Sequence, residues 1–247
     1  MLRTAAMMQP YLFPYLGYFQ LIAHSDAFVL GDDLQYVKAS WINRNRILVN
    51  GQPKLVTFSL RHDDPYLSIN QRWLSDDFEA HAGRLLKTLA FSYARAPHKT
   101  ETLALLTRIL ASPERNLARF AEQSIRALCA HLEIETPIHL GSDMGLPARM
   151  DKQERVVRIA HRLGVEQYIN PIGGTALYCP SYFRAQGLVL RFLRMDELSY
   201  PQFGQPFVPS LSIIDVLMFN GRSGTQALLD RFSLLEGQPQ PAALQRA

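Results

Sequence analysis

Thr4-Ala5-Ala6-Met7-Met8, then Gln9-Pro10-Tyr11-Leu12-Phe13-Pro14-Tyr15-Leu16-Gly17, then Tyr18-Phe19-Gln20-Leu21-Ile22-Ala23, then Ala27-Phe28-Val29-Leu30-Gly31-Asp32-Asp33: this stretch decides the fold class. Two apolar runs of strand length flank a Pro- and Gly-punctuated turn and an apolar segment, and each run stops at polar or turn-forming residues. The succession reads as strand, loop, helix, strand, the first βαβ unit of a parallel sheet. An open parallel sheet takes its ligand beyond the carboxyl ends of its strands, so the polar residues at those ends face a ligand crevice.

Outward from this unit, Leu48-Val49, Asn50-Gly51 and Leu55 to Leu60 predict a hairpin whose turn uses the tolerance of Asn and Gly for positive φ. Asp76 to Ser92 and Thr100 to Leu132 carry Leu, Ala and Ile at helical spacing, which makes the middle of the chain helical scaffold. Ser112-Pro113 predicts a break and restart there, with Ser112 as N-cap and Pro113 at the first helical position. Asp151 to Leu163 is amphipathic and stops at Gly164; Gln167 to Asn170 and Leu188 to Phe192 read as strands, Pro171 to Thr175 as a turn, and Leu211 to Phe219 as a final buried element. The expected architecture is α/β, a mainly parallel sheet with flanking helices, in one domain over residues 1–236. A flexible polar tail is expected over 237–247.

Composition narrows the classes. With 247 residues, 47% of them hydrophobic and 19% charged, the chain can bury a sizeable core. No apolar run approaches the roughly 20 residues of a membrane span. The apolar start meets Pro10 and Pro14 too soon for a signal peptide, so a cytoplasmic location without membrane attachment is expected. The net charge of +4 is spread along the chain, so nucleic acid is not demanded and an anionic small molecule suffices as partner. Cys129 falls in a helical apolar pattern as a core residue, whereas Cys179, between Tyr178 and Pro180, is either a reactive thiol or an ordinary one. No His pair has metal-ligand spacing; no metal and no tightly bound cofactor are expected.

The chemistry-bearing residues concentrate between Gln9 and Arg46. Five aromatics and two prolines around one turn, including Tyr11 and Tyr15, make either a rigid wall for a sugar or base or a packed corner. Asp32 and Asp33 can act as a base, bind a metal, hold sugar hydroxyls or cap a turn. Gln35, Tyr36, Lys38, Trp41, Asn43, Arg44 and Arg46 follow, setting cationic donors for phosphate or carboxylate beside polar and aromatic groups. The expected roles are catalysis for Asp32, Asp33 and Lys38, and substrate binding for Gln9, Tyr11, Tyr15, Gln35, Tyr36, Trp41, Asn43, Arg44, Arg46 and Asp215. Asp215 interrupts an apolar run, so it needs a partner such as Arg44 or Arg46, or its pKa shifts upward; a buried salt bridge and a ligand contact both fit. His62 beside Asp63 is a base or a plain loop residue, and Gly173-Gly174 an anion cradle or a tight turn.

Three of these segments, Gln9-Pro-Tyr-Leu-Phe-Pro-Tyr-Leu-Gly-Tyr-Phe-Gln-Leu-Ile22, Asp32-Asp-Leu-Gln-Tyr-Val-Lys38 and Trp41-Ile-Asn-Arg-Asn-Arg-Ile47, together resemble the WbqC-like family, as do Leu163 to Ile169 and Pro209 to Asn220. The resemblance implies a bacterial protein associated with gene clusters for O-antigen and other surface polysaccharides. It implies a transferase that adds an acyl or aminoacyl group to the amine of a nucleotide-linked amino sugar, with an acyl or aminoacyl carrier as a further partner. Family members often end a strand in Tyr-Leu-Ser-Gly where this chain has Tyr168-Ile-Asn-Pro-Ile-Gly-Gly174, a departure that would alter substrate choice if the turn touches ligand. A competing class is a non-catalytic sugar-nucleotide-binding or scaffold protein. A third is a nucleotidyltransferase-like enzyme, because Tyr15-Leu16-Gly17-Tyr18 resembles a His-x-Gly-His loop with both histidines replaced.

Overall fold

The computed structural model describes residues 2–147, 150–203 and 206–237. In chain order its regular elements are β1 (Thr4–Met8), α1 (Leu16–Ala23), β2 (Ala27–Leu30), β3 (Arg44–Val49), β4 (Gln52–Thr57), α2 (Phe78–Ser92), α3 (Lys99–Leu110), α4 (Leu117–His131), β5 (Ile138–Leu140), α5 (Lys152–Leu163), β6 (Gln167–Pro171), α6 (Pro180–Ala185), β7 (Val189–Met195), α7 (Ile213–Leu229) and β8 (Phe232–Glu236). Successive strand side chains point to opposite faces, and that alternation builds two cores. Ala6 of β1, Ile169 of β6 and Leu193 of β7 pack with α1, α7 and the helices α2 to α4. Their neighbours Ala5, Tyr168 and Phe192 pack instead with Val156, Val157 and Ala160 of α5 and Phe183 of α6. The molecule is thus an α/β structure with a mainly parallel six-stranded sheet between two helical layers.

The sheet order is β5-β2-β1-β6-β7-β8. β5, β2, β1, β6 and β7 run parallel, and β8 pairs antiparallel with β7. Counting only the parallel strands in chain order gives 3-2-1-4-5, the arrangement of doubly wound nucleotide-binding sheets. The chain builds outward from β1 through β2 to β5 and then returns to β6 on the other side of β1. The β1–β6 boundary is therefore the switch point, where a crevice opens beyond the strand ends.

Several local expectations are met by recognisable physics. Asn50 and Gly51 both take positive φ, 53° and 73°, in the two-residue turn joining β3 to β4. Asp151 caps α5 by accepting from the amides of Gln153 and Glu154, and Gly164 ends that helix in the left-handed region. Burial of Cys129 in α4 pushes its thiol pKa up to about 12, in keeping with a core residue.

Other expectations need correction. The hairpin is a separate two-stranded ribbon, and β3 begins at Arg44, ahead of the predicted Leu48-Val49, while β4 is Gln52–Thr57 and not Leu55 to Leu60. Asn116, not Ser112, caps α4, through its side chain and the Arg119 amide; Ser112 bonds Gln123, and Pro113 lies in the intervening coil. Pro171 closes β6, and Ile172–Leu177 forms a 3-10 helix. The buried element predicted at Leu211 to Phe219 is the start of α7, capped by Ser212 and continuing past a kink at Gly221 to Leu229. The tail predicted to be flexible falls, beyond Gly237, outside the described residues. Among the described residues no helix is long and apolar enough to cross a membrane.

Candidate functional site

The loop from Gln9 to Tyr15 leaves β1 at the switch point and is pinned from several directions. The buried Tyr18 hydroxyl donates to the Gln9 carbonyl at 2.9 Å, and the Leu12 amide donates to the Ile42 carbonyl at 3.0 Å. The Phe13 carbonyl accepts from Asn45 Nδ2 and from Ser212 Oγ, each at 2.7 Å. These bonds tie the loop to α1, β3 and the start of α7, and with them Phe13 adopts a φ of 48°. At Gly17 a Cβ would lie 2.5 Å from the ring of Tyr15, so only glycine lets that ring fold back over the first turn of α1. Burial, helped by Tyr11 nearby, raises the Tyr15 phenol to about 12, and burial holds Tyr11 and Tyr18 above their ordinary values too. At neutral pH all three offer protons and carry no charge.

Tyr15 and Leu16 form one wall of a cavity of about 440 Å³; the opposite wall comes from the coil after β7, through Asp196, Glu197, Tyr200, Phe207 and Ser210. The cavity opens at the carboxyl end of β7 beside the amino end of α1. Its ionised lining groups are both acidic. Asp196 is engaged by Ser233 Oγ at 3.3 Å and by Arg231 Nε at 3.7 Å, whereas Glu197 is exposed and has no partner among the described residues. Tyr200 and Phe207 pack edge to face at 5.0 Å and give this wall an aromatic surface.

Asp215 holds that wall in place from below. It is wholly buried in the first turn of α7, and its carboxylate accepts from the Tyr93 hydroxyl at 2.8 Å, the Tyr200 hydroxyl at 2.7 Å and Gln202 Nε2 at 2.9 Å. Gln202 in turn brackets Val208, accepting from its amide and donating to its carbonyl. Desolvation raises the Asp215 pKa in spite of these three donors. The expected Arg44 or Arg46 partner is therefore replaced by two phenols and an amide, which satisfy the oxygens without a counter-charge.

Arg44 and Arg46 lie two residues apart on β3 and so share a face. Their guanidinium groups each sit 5.7 Å from the centre of the Trp41 ring, which is 42% exposed. Arg46 Nη2 donates to the carbonyl of Ser210 at 3.2 Å, bringing this cationic and aromatic group to the edge of the cavity.

The carboxylates Asp32 and Asp33 stand apart from it, past the end of β2. Asp32 is 3% exposed and accepts from the Ser142 amide, the Ser142 hydroxyl and Asn70 Nδ2, fastening three chain segments together. It also borders a smaller space of about 190 Å³ with Asn70, Arg119 and Asp143. Asp33 is ion-paired through Oδ2 with the buried Arg155 of α5, while its Oδ1 is buried without a partner among the described residues. The remaining predicted residues scatter. Tyr36 donates to Asn43 Oδ1, and Asn43 donates to the Phe58 carbonyl, both inside the fold with Arg72 stacked on the Tyr36 ring at 4.9 Å. Gln35 and Lys38 are exposed, as is His62. Cys179 precedes α6, with its Sγ 3.0 Å from Ser181 Oγ, and that hydrogen bond lowers the thiol pKa.

The structure thus sets Tyr15 in the cavity wall and Trp41, Arg44 and Arg46 at its edge; Gln9 and Tyr11 share the loop of Tyr15, tied to Tyr18, without lining the cavity, and Asp32, Asp33, Gln35 and Lys38 lie outside it. Sequence reasoning missed Asp196, Glu197, Tyr200, Phe207 and Ser210, although Tyr200-Pro201 and Phe207-Val208-Pro209 repeat the aromatic-proline texture that singled out the first loop. Among the described residues no group of three or more His, Cys, Asp or Glu side chains is placed to hold a metal ion.

Comparison with known proteins covers both walls of this cavity. The model of the WbqC-like protein family matches residues 9–227. Uncharacterized protein Rv1507c of Mycobacterium tuberculosis (strain ATCC 25618 / H37Rv) is 27% identical over 221 residues, which is 89% of this chain and 94% of that protein. No solved structure gives a significant match. The family match runs from the loop after β1 to the last turns of α7, and the chain belongs to the WbqC-like protein family.

Proposed function

We propose that this protein is a cytoplasmic transferase of surface-polysaccharide biosynthesis that places an acyl or aminoacyl group on the amine of a nucleotide-linked amino sugar. The observation that carries the reading is the cavity beside Tyr15, whose ionised lining groups are the carboxylates Asp196 and Glu197 and whose walls include the aromatic rings of Tyr15, Tyr200 and Phe207. Acidic groups favour a cationic ligand, and aromatic faces accommodate a sugar ring, so an amino sugar meets both conditions. The strand order adds a nucleotide-compatible frame, which by itself assigns no chemistry.

In this reading Glu197 takes a proton from the substrate ammonium. The freed nitrogen lone pair forms a bond to the carbonyl carbon of an activated acyl donor, the bond from that carbon to the donor's sulfur or oxygen breaks with its electron pair, and the departing sulfur or oxygen takes the second proton lost by the nitrogen. Asp196, already engaged by Ser233 and Arg231, orients the ammonium; the protonated phenol of Tyr15 donates to a sugar hydroxyl, and Tyr200, whose proton goes to Asp215, accepts from one. Glu197 replaces Asp32 and Asp33 as the proposed base because both stand apart from the cavity, Asp32 with its oxygens committed to Ser142 and Asn70 and Asp33 ion-paired with the buried Arg155.

The test is incubation with nucleotide-linked amino sugars and thioester or carrier-bound acyl donors, with the acylated product read by mass. Glu197→Gln is expected to slow turnover about 100-fold or more, the usual contribution of a general base. No product from any amino sugar, together with saturable binding that Glu197→Gln leaves intact, would identify a binding protein instead. Magnesium-dependent release of pyrophosphate from a nucleoside triphosphate would identify a nucleotidyltransferase.

A further inference from the structure

We infer that Trp41, Arg44 and Arg46 form an anion subsite at the mouth of the cavity, which holds the diphosphate of a nucleotide-linked ligand. Neither arginine is paired with a carboxylate among the described residues. Two uncompensated guanidinium groups flank one indole and repel each other, an arrangement that a bound anion relieves. Among the described residues both Nε atoms are buried without a partner, and of the terminal nitrogens only Arg46 Nη2 is engaged, by the Ser210 carbonyl. The other terminal N–H groups are available as forks, the geometry that grips phosphate oxygens two at a time. The indole braces both forks and keeps an exposed edge for further contact.

The site's surroundings favour a small diphosphate over a polyanion. The patch is one side chain wide along β3, and the cavity it adjoins is lined by Asp196 and Glu197, which would repel a continuous phosphate backbone. The same juxtaposition suits a ligand that is anionic at its diphosphate and cationic at its sugar amine. The identity of that second end rests on the function proposed above; the anion subsite does not.

The experiment uses the full chain with Trp73→Phe, so that Trp41 is the remaining indole. Its fluorescence is titrated at low salt with inorganic pyrophosphate and, separately, with UDP. A saturable change is expected with both. Arg44→Ala and Arg46→Ala should each weaken binding at least tenfold, Arg46→Lys should lose most of that affinity while keeping the charge, and the surface control Arg158→Ala should bind as the parent does. Circular dichroism confirms that each variant is folded. Absence of a saturable Trp41 response, or equal affinity in the Arg44→Ala/Arg46→Ala double variant, overturns the proposal. So does tighter binding of a single-stranded oligonucleotide than of UDP that is lost in the same double variant. Pyrophosphate binding without acyl transfer to any amino sugar would retain the subsite and remove the transferase reading; the reverse pair of results would do the opposite.

Discussion

Removing the Asp215 carboxylate tests whether the cavity wall is built from beneath as its hydrogen bonds indicate. In Asp215→Ala the Tyr93 hydroxyl loses its acceptor in a buried setting, although it still accepts from the Leu48 amide at 2.9 Å. Tyr200 lines the cavity and can recover water, and Gln202 Nε2 keeps the Val208 carbonyl, so the full penalty falls on one phenol. An orphaned buried donor costs about 1–3 kcal/mol, and the void left by the carboxylate adds to it. Relief of the carboxylate's own desolvation offsets part of the loss. The expected net destabilisation is therefore about 2–3 kcal/mol by urea denaturation, with the midpoint moved and the slope unchanged.

Tyr93→Phe supplies the decisive comparison. If the Tyr93–Asp215 bond is the main term, the two substitutions are non-additive, with a coupling of about 1 kcal/mol or more, because either one alone removes the same bond. Asp215→Ala should also weaken ligand binding, since Tyr200 and the segment around Val208 lose their tether. Strict additivity with Tyr93→Phe, or a stability change within about 0.5 kcal/mol, would refute the role assigned to Asp215.

Three further outcomes follow from the same geometry. Burial raises the Asp215 pKa, so folding favours its protonated form: the stability it adds is full below its unfolded pKa of roughly 4 and is lost as pH rises through the folded value. Urea midpoints of the wild type should accordingly fall relative to Asp215→Asn across that window, and a relative rise would show the opposite shift. Arg155→Ala should destabilise the fold by about 3 kcal/mol by stranding Asp33 against α5, a loss that Asp33→Asn in the same chain partly restores; an effect under about 1 kcal/mol would mean that the pair is solvent-screened. Gly17→Ala gains about 1 kcal/mol of helix propensity but drives the Tyr15 ring from its place, so calorimetry should show near-unchanged stability and weakened binding of an amino-sugar nucleotide, whereas unchanged binding would remove Tyr15 from the site.

The parts of the fold legible in sequence were those where periodicity and punctuation agree. β1, α1 and β2 each present an apolar run cut by Pro, Gly or Asp, and α5 carries both of its caps in plain view. β5 escaped because three residues give no period, and β8 because Phe232-Ser-Leu-Leu-Glu236 breaks strict alternation on a half-exposed antiparallel edge. Ser112-Pro113 imitates a helix start, but the Asn116 amide bonds to Glu114 and the Asn116 side chain takes the Arg119 amide, so the cap falls four residues later. The second half of α7 lies beyond the predicted Leu211 to Phe219 element, past a kink at Gly221 that interrupts the helical backbone.

The candidate site was half legible for a related reason. Its first wall is one continuous loop, dense enough in Tyr and Pro to stand out; its second comes from coil after β7, where no period marks Glu197 or Tyr200 and only three-dimensional closure brings them opposite Tyr15. The paired carboxylates Asp32 and Asp33 drew notice by adjacency, yet adjacency reports demand for acceptors, not availability. A carboxylate that already accepts from an amide, a hydroxyl and a side-chain amide has its lone pairs engaged by the fold and few left for a substrate proton. Glu197 has no such partners among the described residues and borders a space of ligand size. The contrast yields a direct comparison: Glu197→Gln should lower turnover with little change in stability, and Asp32→Asn should lower stability through the lost Ser142 and Asn70 bonds while the surviving folded protein turns over at nearly the parent rate. Reversal of that pattern would move the base from the coil after β7 to the end of β2.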